Sequence, residues 1–243
     1  MAEIVFTEKY EAHPLDSISF GDAWRMISHN LGTAVANSSL YSDLIERGGR
    51  PERRDRYVGV LVEQSKIITR IIANITELQE IRNFTRERVS LDTDYLVQET
   101  GSALSRLAVG RELNLELDSE GELPRQYGSN GNHLLKAIGH LIDNSVAHTP
   151  DGGTVAVTFW TDNLGDGSGD YMHIAVGDSG CGMDLETMNN LFAPFSKANM
   201  ESLNAGLGAT IARYIVVDIM GGYITVNSEP EQGTQVTLSV PIN

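Results

Sequence analysis

Three residues in the second half of the chain are of types that bind metal ions and nucleotides. Asn144 falls on a predicted helix, and its amide oxygen suits a Mg²⁺ ion that keeps several water and phosphate ligands. His148 lies four residues later, on the same helix face. Asp178 directly follows a predicted strand, where its carboxylate could accept a hydrogen bond from an exocyclic amine. A solvated helix face and an ordinary turn explain each residue equally well when it is taken alone.

Glycines accompany these residues at two places. Gly180 and Gly182 alternate in the turn after Asp178, and a backbone without Cβ atoms can approach a flat or anionic ligand closely. Gly206 and Gly208 flank Leu207 at the start of a predicted helix, where free N–H groups could face phosphate. Both glycine pairs are also compatible with structural turns and helix caps.

The elements that carry these motifs alternate between helix and strand. We predict helices over Leu91–Ala108, Asn132–Ala147, Leu185–Leu191 and Leu207–Met220. We predict strands over Glu112–Leu117, Thr154–Thr161, Tyr171–Val176, Tyr223–Asn227 and Gln235–Val240. Because the order is not strictly βαβ, this half of the chain is expected to form an α/β sandwich with a mixed sheet.

The first half shows a different pattern, with apolar residues at heptad spacing. In a first helix the two rows are Phe20, Ile27, Ala34, Tyr41 and Trp24, Leu31, Ser38, Ile45. Gly48–Pro51 interrupts the pattern, which then resumes in a second helix with the rows Val58, Ser65, Ile72 and Leu61, Ile68, Ile75. A helical hairpin of this kind buries one face only, so we expect it to dimerise into a four-helix bundle. The overall fold class is therefore α+β.

The motifs of the second half, taken in order, resemble the N, G1, F, G2 and G3 boxes of the histidine-kinase (GHKL) ATPase superfamily. The matching residues are Asn144, Asp178-x-Gly180-x-Gly182, Phe192-Ala193-Pro194-Phe195, Gly206-x-Gly208 and Gly233-Thr234. The resemblance covers roughly residues 91–243 and implies a left-handed α/β sandwich that binds Mg-ATP between a sheet and a lid. The segment between Phe195 and Gly206 would be that lid.

The resemblance also implies a role for each matching residue. Asp178 would contact the adenine amine, Asn144 would bind Mg²⁺, and His148 would lie beside the phosphates or the ribose. The phosphates would be bound by Lys197 and by the backbone around Gly206, Leu207 and Gly208, with Phe195 and Thr234 completing the nucleotide site. The sequence departs from the family pattern at His140, which is usually Asn, and at Ser145, which is usually Ala.

In the first helix, Ser28-His29-Asn30-Leu31-Gly32-Thr33 resembles the H box of dimerising histidine kinases. His29 occupies an outward heptad position, where a neutral imidazole could act as a nucleophile near pH 7. The resemblance makes His29 the phosphoacceptor. Asn30 replaces the usual Glu or Asp and cannot accept a proton. Thr33, one turn along on the same face, implies a phosphatase activity toward the partner's receiver domain.

Together the two motif sets predict an ATP-dependent protein histidine kinase that phosphorylates His29 and passes the phosphoryl group to a response-regulator aspartate. The alternative is a non-kinase phosphotransfer or scaffold protein that takes phosphate from an upstream receiver domain. We expect a leader at 1–16, a dimerisation and phosphotransfer hairpin at 17–88 and a catalytic ATP-binding domain at 89–243. A separate sensory protein is a further expected partner.

Charge and composition restrict the remaining classes of function. The net charge is −15, and residues 91–243 contain 6 basic and 20 acidic residues, so nucleic-acid binding is not expected. Neither a signal peptide nor a membrane-inserted segment is expected, because residues 1–4 lack a basic start followed by an apolar stretch and no apolar run approaches about 18 residues. The single cysteine, Cys181, fits a reducing cytoplasm.

Overall fold

The structure is a computed structural model that describes residues 2–6, 20–47, 53–83, 90–128, 131–163, 170–193 and 207–242. Some side chains within these elements lie outside the description, among them those of residues 20–30. None of the helices in the described part of the chain combines the length and the apolar composition that a membrane span requires.

Two long helices, α1 (Phe20–Glu46) and α2 (Arg54–Asn83), pack against each other as a hairpin. Tyr41, near the end of α1, and Tyr57, near the start of α2, place their ring centroids 5.6 Å apart. The described members of the predicted α1 stripe are buried or half-buried: Leu31, Ala34, Ser38, Tyr41 and Ile45. Heptad spacing therefore locates the face of α1 that is covered within the chain.

The hairpin also exposes a set of large apolar side chains. Val58 and Ile72, which form one predicted row on α2, are 46% and 53% exposed, and Val62 is 49% exposed. On α1, Val35 and Leu40 are exposed as well. One face of the hairpin is thus covered, and among the described residues a second apolar face, that of Val58, Val62 and Ile72 on α2, is left exposed.

Six strands form a mixed sheet in the order β1-β7-β8-β6-β5-β3. Their bounds are β1 Ala2–Phe6, β3 Asn114–Glu120, β5 Thr154–Asn163, β6 Asp170–Asp178, β7 Tyr223–Glu229 and β8 Gly233–Pro241. β3 and β5 are parallel, whereas the other neighbouring pairs are antiparallel. The predicted mixed sheet is confirmed.

Helices cover one face of this sheet and enclose the core. They are α3 (Thr93–Leu107), α4 (Gly131–His148), the short α5 (Leu185–Asn189) and α6 (Gly208–Arg213), which continues as a π-helical turn over Tyr214–Ile219. On α4, Leu134, Ile138 and Ile142 recur every four residues and are fully buried. This spacing leaves the neighbouring face of α4 available for polar residues.

Three short strands lie outside the sequence prediction. Although residues 1–16 are expected to form a leader, Ala2–Phe6 form strand β1 and pair with β7 at the edge of the sheet. The strands β2 (Ser90–Asp92) and β4 (Gln126–Gly128) form a separate pair. Helix α3 begins at Thr93 rather than Leu91 because the Asp92 carboxylate accepts hydrogen bonds from two backbone N–H groups of the first turn.

Candidate nucleotide-binding site

A cleft of about 450 Å³ lies between α4, the end of β6, α5 and the start of β8. It is lined by Leu141, Asn144, Ser145, His148, Asp178, Cys181, Gly182, Met183, Thr187, Leu191, Thr234 and Val236. Five of the residues singled out in the sequence therefore share one cleft: Asn144, His148, Asp178, Gly182 and Thr234. These residues come from three separate parts of the chain.

The last turns of α4 contribute the polar side chains on one wall. Asn144 is half-buried and Ser145 is buried, whereas His148 is exposed. The helix ends at His148 because Pro150 disfavours helical backbone before it, and Thr149 N–H and Oγ1 both donate to the Ser145 carbonyl. The Arg111 guanidinium donates to the Val146 and Thr149 carbonyls, at 2.9 and 2.6 Å. These bonds fix the end of the helix at the cleft.

Asp178 lies at the end of β6, on the opposite wall of the cleft. Burial raises the pKa of this carboxyl above its ordinary value, although hydrogen bonds from the Gly180 N–H and the Ser145 hydroxyl oppose the effect. The Gly180 N–H donates to Asp178 Oδ1 at 2.9 Å. An ionised carboxylate that is largely removed from water can accept further hydrogen bonds, so a ligand amine suits this position.

The glycines after Asp178 allow segments of the protein backbone to approach each other. A Cβ atom on Gly180 would lie 2.5 Å from the His148 carbonyl oxygen. Gly182 has φ of +62°, and a Cβ atom there would overlap the Glu229 carbonyl. The glycines are thus required by packing within the chain, and Gly182 also lines the cleft.

The turn between β7 and β8 holds this glycine loop in place. Met183 N–H donates to Ser228 Oγ at 2.8 Å, and Ser228 Oγ in turn donates to the Gly233 carbonyl at 2.9 Å. Glu231 N–H donates to the Cys181 carbonyl at 2.7 Å. Thr234, which the sequence analysis assigned to the nucleotide site, follows directly in β8 and lines the cleft.

The remaining predicted nucleotide ligands lie beside the cleft or outside the described residues. Leu207 is 2% exposed and packs into the core, so only its backbone is available to a ligand. Gly208 begins α6 and packs against His140. Phe195, Lys197 and Gly206 lie outside the described residues.

Seven of the residues that line the cleft are not predicted from the sequence as part of the nucleotide site, and Ser145, Met183 and Thr187 are among them. Ser145 is singled out in the sequence only as a departure from the family pattern, yet its hydroxyl bonds Asp178. Thr187 lies on α5, whose first turn is capped by the Asp184 carboxylate. The neighbouring G1 motif is a signal for Met183, whereas the position of Thr187 depends on how α5 packs.

The predicted phosphoacceptor belongs to the backbone of α1. His29 and Asn30 lie within Phe20–Glu46, and their side chains are outside the described residues. Thr33, one turn further along α1, is exposed. The helical setting expected for the H-box motif is therefore present, and the roles of its three residues stay predictions.

Residues 129–243 match the protein-family model described as "Histidine kinase-, DNA gyrase B-, and HSP90-like ATPase". This segment is a domain of that ATPase family. The match includes every described residue of the cleft, because the cleft is lined by residues 141–236. The fold expected from the motif order is confirmed for this ATPase domain.

Curated relatives extend the similarity beyond the ATPase domain. The adaptive-response sensory kinase SasA of Synechococcus sp. is 27% identical over 90% of this chain and 56% of its own length. The sensor-like histidine kinase SenX3 of Mycolicibacterium smegmatis is 25% identical over 98% of this chain and 62% of its own. The sensor histidine kinase RcsC of Escherichia coli is 26% identical, but only 23% of its length is covered. The chain thus spans only part of the curated relatives it matches.

Solved structures show the same fold. The histidine kinase ThkA, in a complex with the response regulator TrrA, matches 93% of this chain and 63% of its own, with a TM-score of 0.70 and 18% identity. The Acinetobacter baumannii histidine kinase AdeS matches 88% of this chain and 98% of its own, with a TM-score of 0.64 and 17% identity. The resemblance to two-component histidine kinases is confirmed.

Proposed function

We propose that the chain is an ATP-dependent protein histidine kinase that phosphorylates its own His29. The observation that carries the proposal is the cleft itself, in which Asn144, Asp178 and Thr234 of an ATPase-family domain line one cavity. The same chain carries the H-box motif on α1. In this proposal residues 17–88 form the dimerisation and phosphotransfer hairpin, and residues 89–243 form the ATP-binding domain.

In the proposed reaction a neutral imidazole nitrogen of His29 attacks the γ-phosphorus of ATP. A nitrogen–phosphorus bond forms, the bond to the β–γ bridging oxygen breaks, and ADP leaves with that electron pair. The ring loses its proton to solvent, because Asn30 cannot take it. A receiver-domain aspartate of a response regulator then accepts the phosphoryl group. Asn30 and Thr33 are the residues proposed to assist at the hairpin, and Thr33 carries the proposed phosphatase activity.

The cleft residues fit a magnesium ion that is carried largely by the nucleotide. No cluster of three or more His, Cys, Asp or Glu side chains suited to a metal exists among the residues that the structure describes. A single amide oxygen, that of Asn144, therefore suits an ion that keeps its water and phosphate ligands. When bound, Mg²⁺ would neutralise charge on the phosphates.

Asn144→Ala is expected to remove the Mg²⁺-dependent part of ATP binding, because its amide oxygen is the proposed protein ligand of the ion. We expect the Kd of a fluorescent ATP analogue in Mg²⁺ to rise by about tenfold or more, which corresponds to roughly 1.5–3 kcal/mol for a ligand contact with a charged group. Titrations in Mg²⁺ and in EDTA separate the Mg²⁺-dependent part of the affinity from the part that does not need the ion. Asn132→Ala, at an exposed position on the same helix, is the matched control.

This titration also separates the kinase from the alternative function. A phosphotransfer or scaffold protein would require no nucleotide, so the absence of Mg²⁺-dependent binding in the wild-type protein would favour that alternative. Equal Mg²⁺ dependence in the wild-type and Asn144→Ala proteins would reject Asn144 as the ligand.

We also propose that the hairpin forms a homodimeric four-helix bundle. The apolar face that includes Val58, Val62 and Ile72 is uncovered in the single chain, and a second hairpin of the same kind would cover it. Light scattering after size-exclusion chromatography is expected to give about 53 kDa, twice the chain mass of 26.5 kDa. Ile72→Glu is expected to yield monomers, whereas Val109→Glu, at an 80% exposed apolar position outside the hairpin, should stay dimeric. A monomeric wild-type protein would contradict the proposal.

The proposed partners follow from this activity. ThkA was solved in complex with a response regulator, which supports a receiver domain as the acceptor here. The relatives are described as sensor kinases and this chain covers part of their length, so we propose that the input comes from a separate sensory protein or segment. Because ATP is the phosphoryl donor, we place the reaction in the cytoplasm.

A further inference from the structure

Charged side chains join hairpin helix α2 to helix α4 of the ATPase domain. The Arg70 guanidinium lies 3.2 Å from the Asp143 carboxylate, and the Lys136 ammonium lies 3.4 Å from Glu80. The two pairs have opposite polarity along the helices, so sliding or reversing one helix would bring like charges together. Such an arrangement specifies one register between two packed surfaces.

Between these two pairs, His140 of α4 lies at the contact between the ATPase domain and the hairpin. Its Nε2 lies 3.0 Å from Glu77 Oε2 on α2, and both side chains are only 17% exposed. On the other side of the ring, a Cβ atom on Gly208 would lie 3.1 Å from His140 Nδ1. The imidazole therefore fills the space between α2 and the first residue of α6.

The Glu77 carboxylate is well suited to hold this ring. Burial raises the pKa of Glu77, but the hydrogen bond and the charge of His140, together with Lys136, outweigh burial and leave the pKa below its ordinary value. Glu99 and Arg106 of α3 line the same groove as His140, Lys136 and Glu77. Of the carboxylates that line this groove, Glu77 lies within hydrogen-bond distance of the ring.

His140 also lies one helical turn before Asn144 on the same face of α4. Gly208 follows directly after Gly206 and Leu207, the motif whose backbone is proposed to meet the phosphates. A ring that supports Gly208 is therefore placed to affect the phosphate end of the nucleotide site. Because neither Glu77 nor His140 lines the cleft, this effect would be exerted through Gly208.

We propose that Glu77 is a positioning residue for nucleotide binding, which acts by fixing His140 and, through it, the backbone at Gly208. The inference rests on the proposed function, because it assumes that this backbone binds the phosphates of ATP. Glu77 of the hairpin thereby raises the affinity of the ATPase domain for the triphosphate. The adenosine moiety is bound elsewhere, near Asp178, and is indifferent to Glu77.

The test compares the affinities of the full chain for Mg-ATP and for adenosine by isothermal titration calorimetry. Glu77→Ala is expected to weaken Mg-ATP binding by about 5- to 30-fold, within the range typical of coupling between sites, and to change adenosine binding less than about twofold. Glu77→Gln keeps an oxygen acceptor for the ring, so its affinity for Mg-ATP should fall less than that of Glu77→Ala. The matched control is Glu80→Ala. It removes a carboxylate on the same helix, and that carboxylate contacts Lys136 but not His140. This variant should keep the wild-type ratio of the Mg-ATP and adenosine affinities.

If Glu77 had only a structural role, its loss would change the affinities for Mg-ATP and for adenosine alike. An unchanged ratio of these two affinities in Glu77→Ala would therefore overturn the inference. An equal loss in Glu80→Ala would do the same, since it would assign the effect to the charged row as a whole. If Glu77→Ala does not fold, His140→Ala is measured instead and must show the same selective loss of Mg-ATP affinity. A wild-type protein that binds adenosine as tightly as Mg-ATP would instead contradict the proposed function.

Discussion

His29→Ala is expected to abolish the incorporation of ³²P from γ-labelled ATP while leaving the protein folded. The reason is that a neutral imidazole is a competent nucleophile near pH 7, and alanine has no nucleophilic atom. We expect labelling to fall to the background of a reaction without protein, as seen by autoradiography after electrophoresis at alkaline pH. Circular dichroism of the variant should show unchanged helix content, since a helix interior accepts alanine readily.

A second histidine substitution controls for this result. His13→Ala removes a histidine outside the H-box motif, and its labelling should match that of the wild-type protein. The phosphoryl group on the wild-type protein should be labile in acid and stable in base, as phosphohistidine is. Labelling that persists in His29→Ala would refute the assignment of the phosphoacceptor.

Asp178→Asn is expected to weaken nucleotide binding while keeping or gaining thermal stability. In the proposed binding mode the wild-type carboxylate accepts a hydrogen bond from the adenine amine, and asparagine presents a weaker, uncharged acceptor. A contact of this kind contributes about 1.5–3 kcal/mol, so we expect the Kd for ATP to rise by roughly 10- to 100-fold. Fluorescence titration measures the affinity, and thermal denaturation measures the stability.

The sign of the stability effect follows from the raised pKa of Asp178, whose main cause is burial. A carboxyl group with a raised pKa in the folded state binds protons more readily there than in the unfolded chain, so stability falls as pH rises from its ordinary pKa through the raised one. Asp178→Asn removes this pH dependence. The melting temperature of Asp178→Asn minus that of the wild-type protein should therefore increase from pH 3 to pH 7.

The control for Asp178→Asn is Asp118→Asn, which changes an exposed aspartate on β3 and should alter neither property. Unchanged ATP affinity in Asp178→Asn would show that the carboxylate does not recognise the base. A large loss of stability at neutral pH would show that its hydrogen bonds to the protein outweigh the cost of its burial.

The elements that the sequence predicts best are those with a strong local pattern. The long heptad rows identify α1 and α2, and the apolar spacing around Ile138 locates α4 within one or two residues of its observed ends. Strand β1 has no comparable signal, because it is five residues long and pairs with β7 more than 200 residues away in the chain. Pairing over such a distance depends on the completed sheet.

In the candidate site, too, the residues in local motifs could be predicted from the sequence, whereas the contacts between distant elements could not. Asn144, Asp178 and Gly182 belong to motifs with characteristic spacing, so the sequence alone brings them to attention. The contact of the Ser145 hydroxyl with Asp178, the packing of Thr187 and the bridge from Glu77 to His140 join elements that are distant in sequence. No local pattern encodes these contacts, and only the packed structure places the residues together.

In the proposed kinase, the ATP bound in the ATPase cleft phosphorylates the imidazole of His29 on the hairpin. The most direct measurement is localisation of the phosphoryl group by mass spectrometry with electron-transfer fragmentation, after incubation with Mg-ATP and digestion at neutral or alkaline pH. We expect His29 to be the single phosphorylated residue, and we expect Asp178→Asn to yield about 10- to 100-fold less of this phosphopeptide at an ATP concentration below the wild-type Kd. A phosphoryl group on Ser28 or Thr33, or on a residue outside α1, would contradict the proposed kinase.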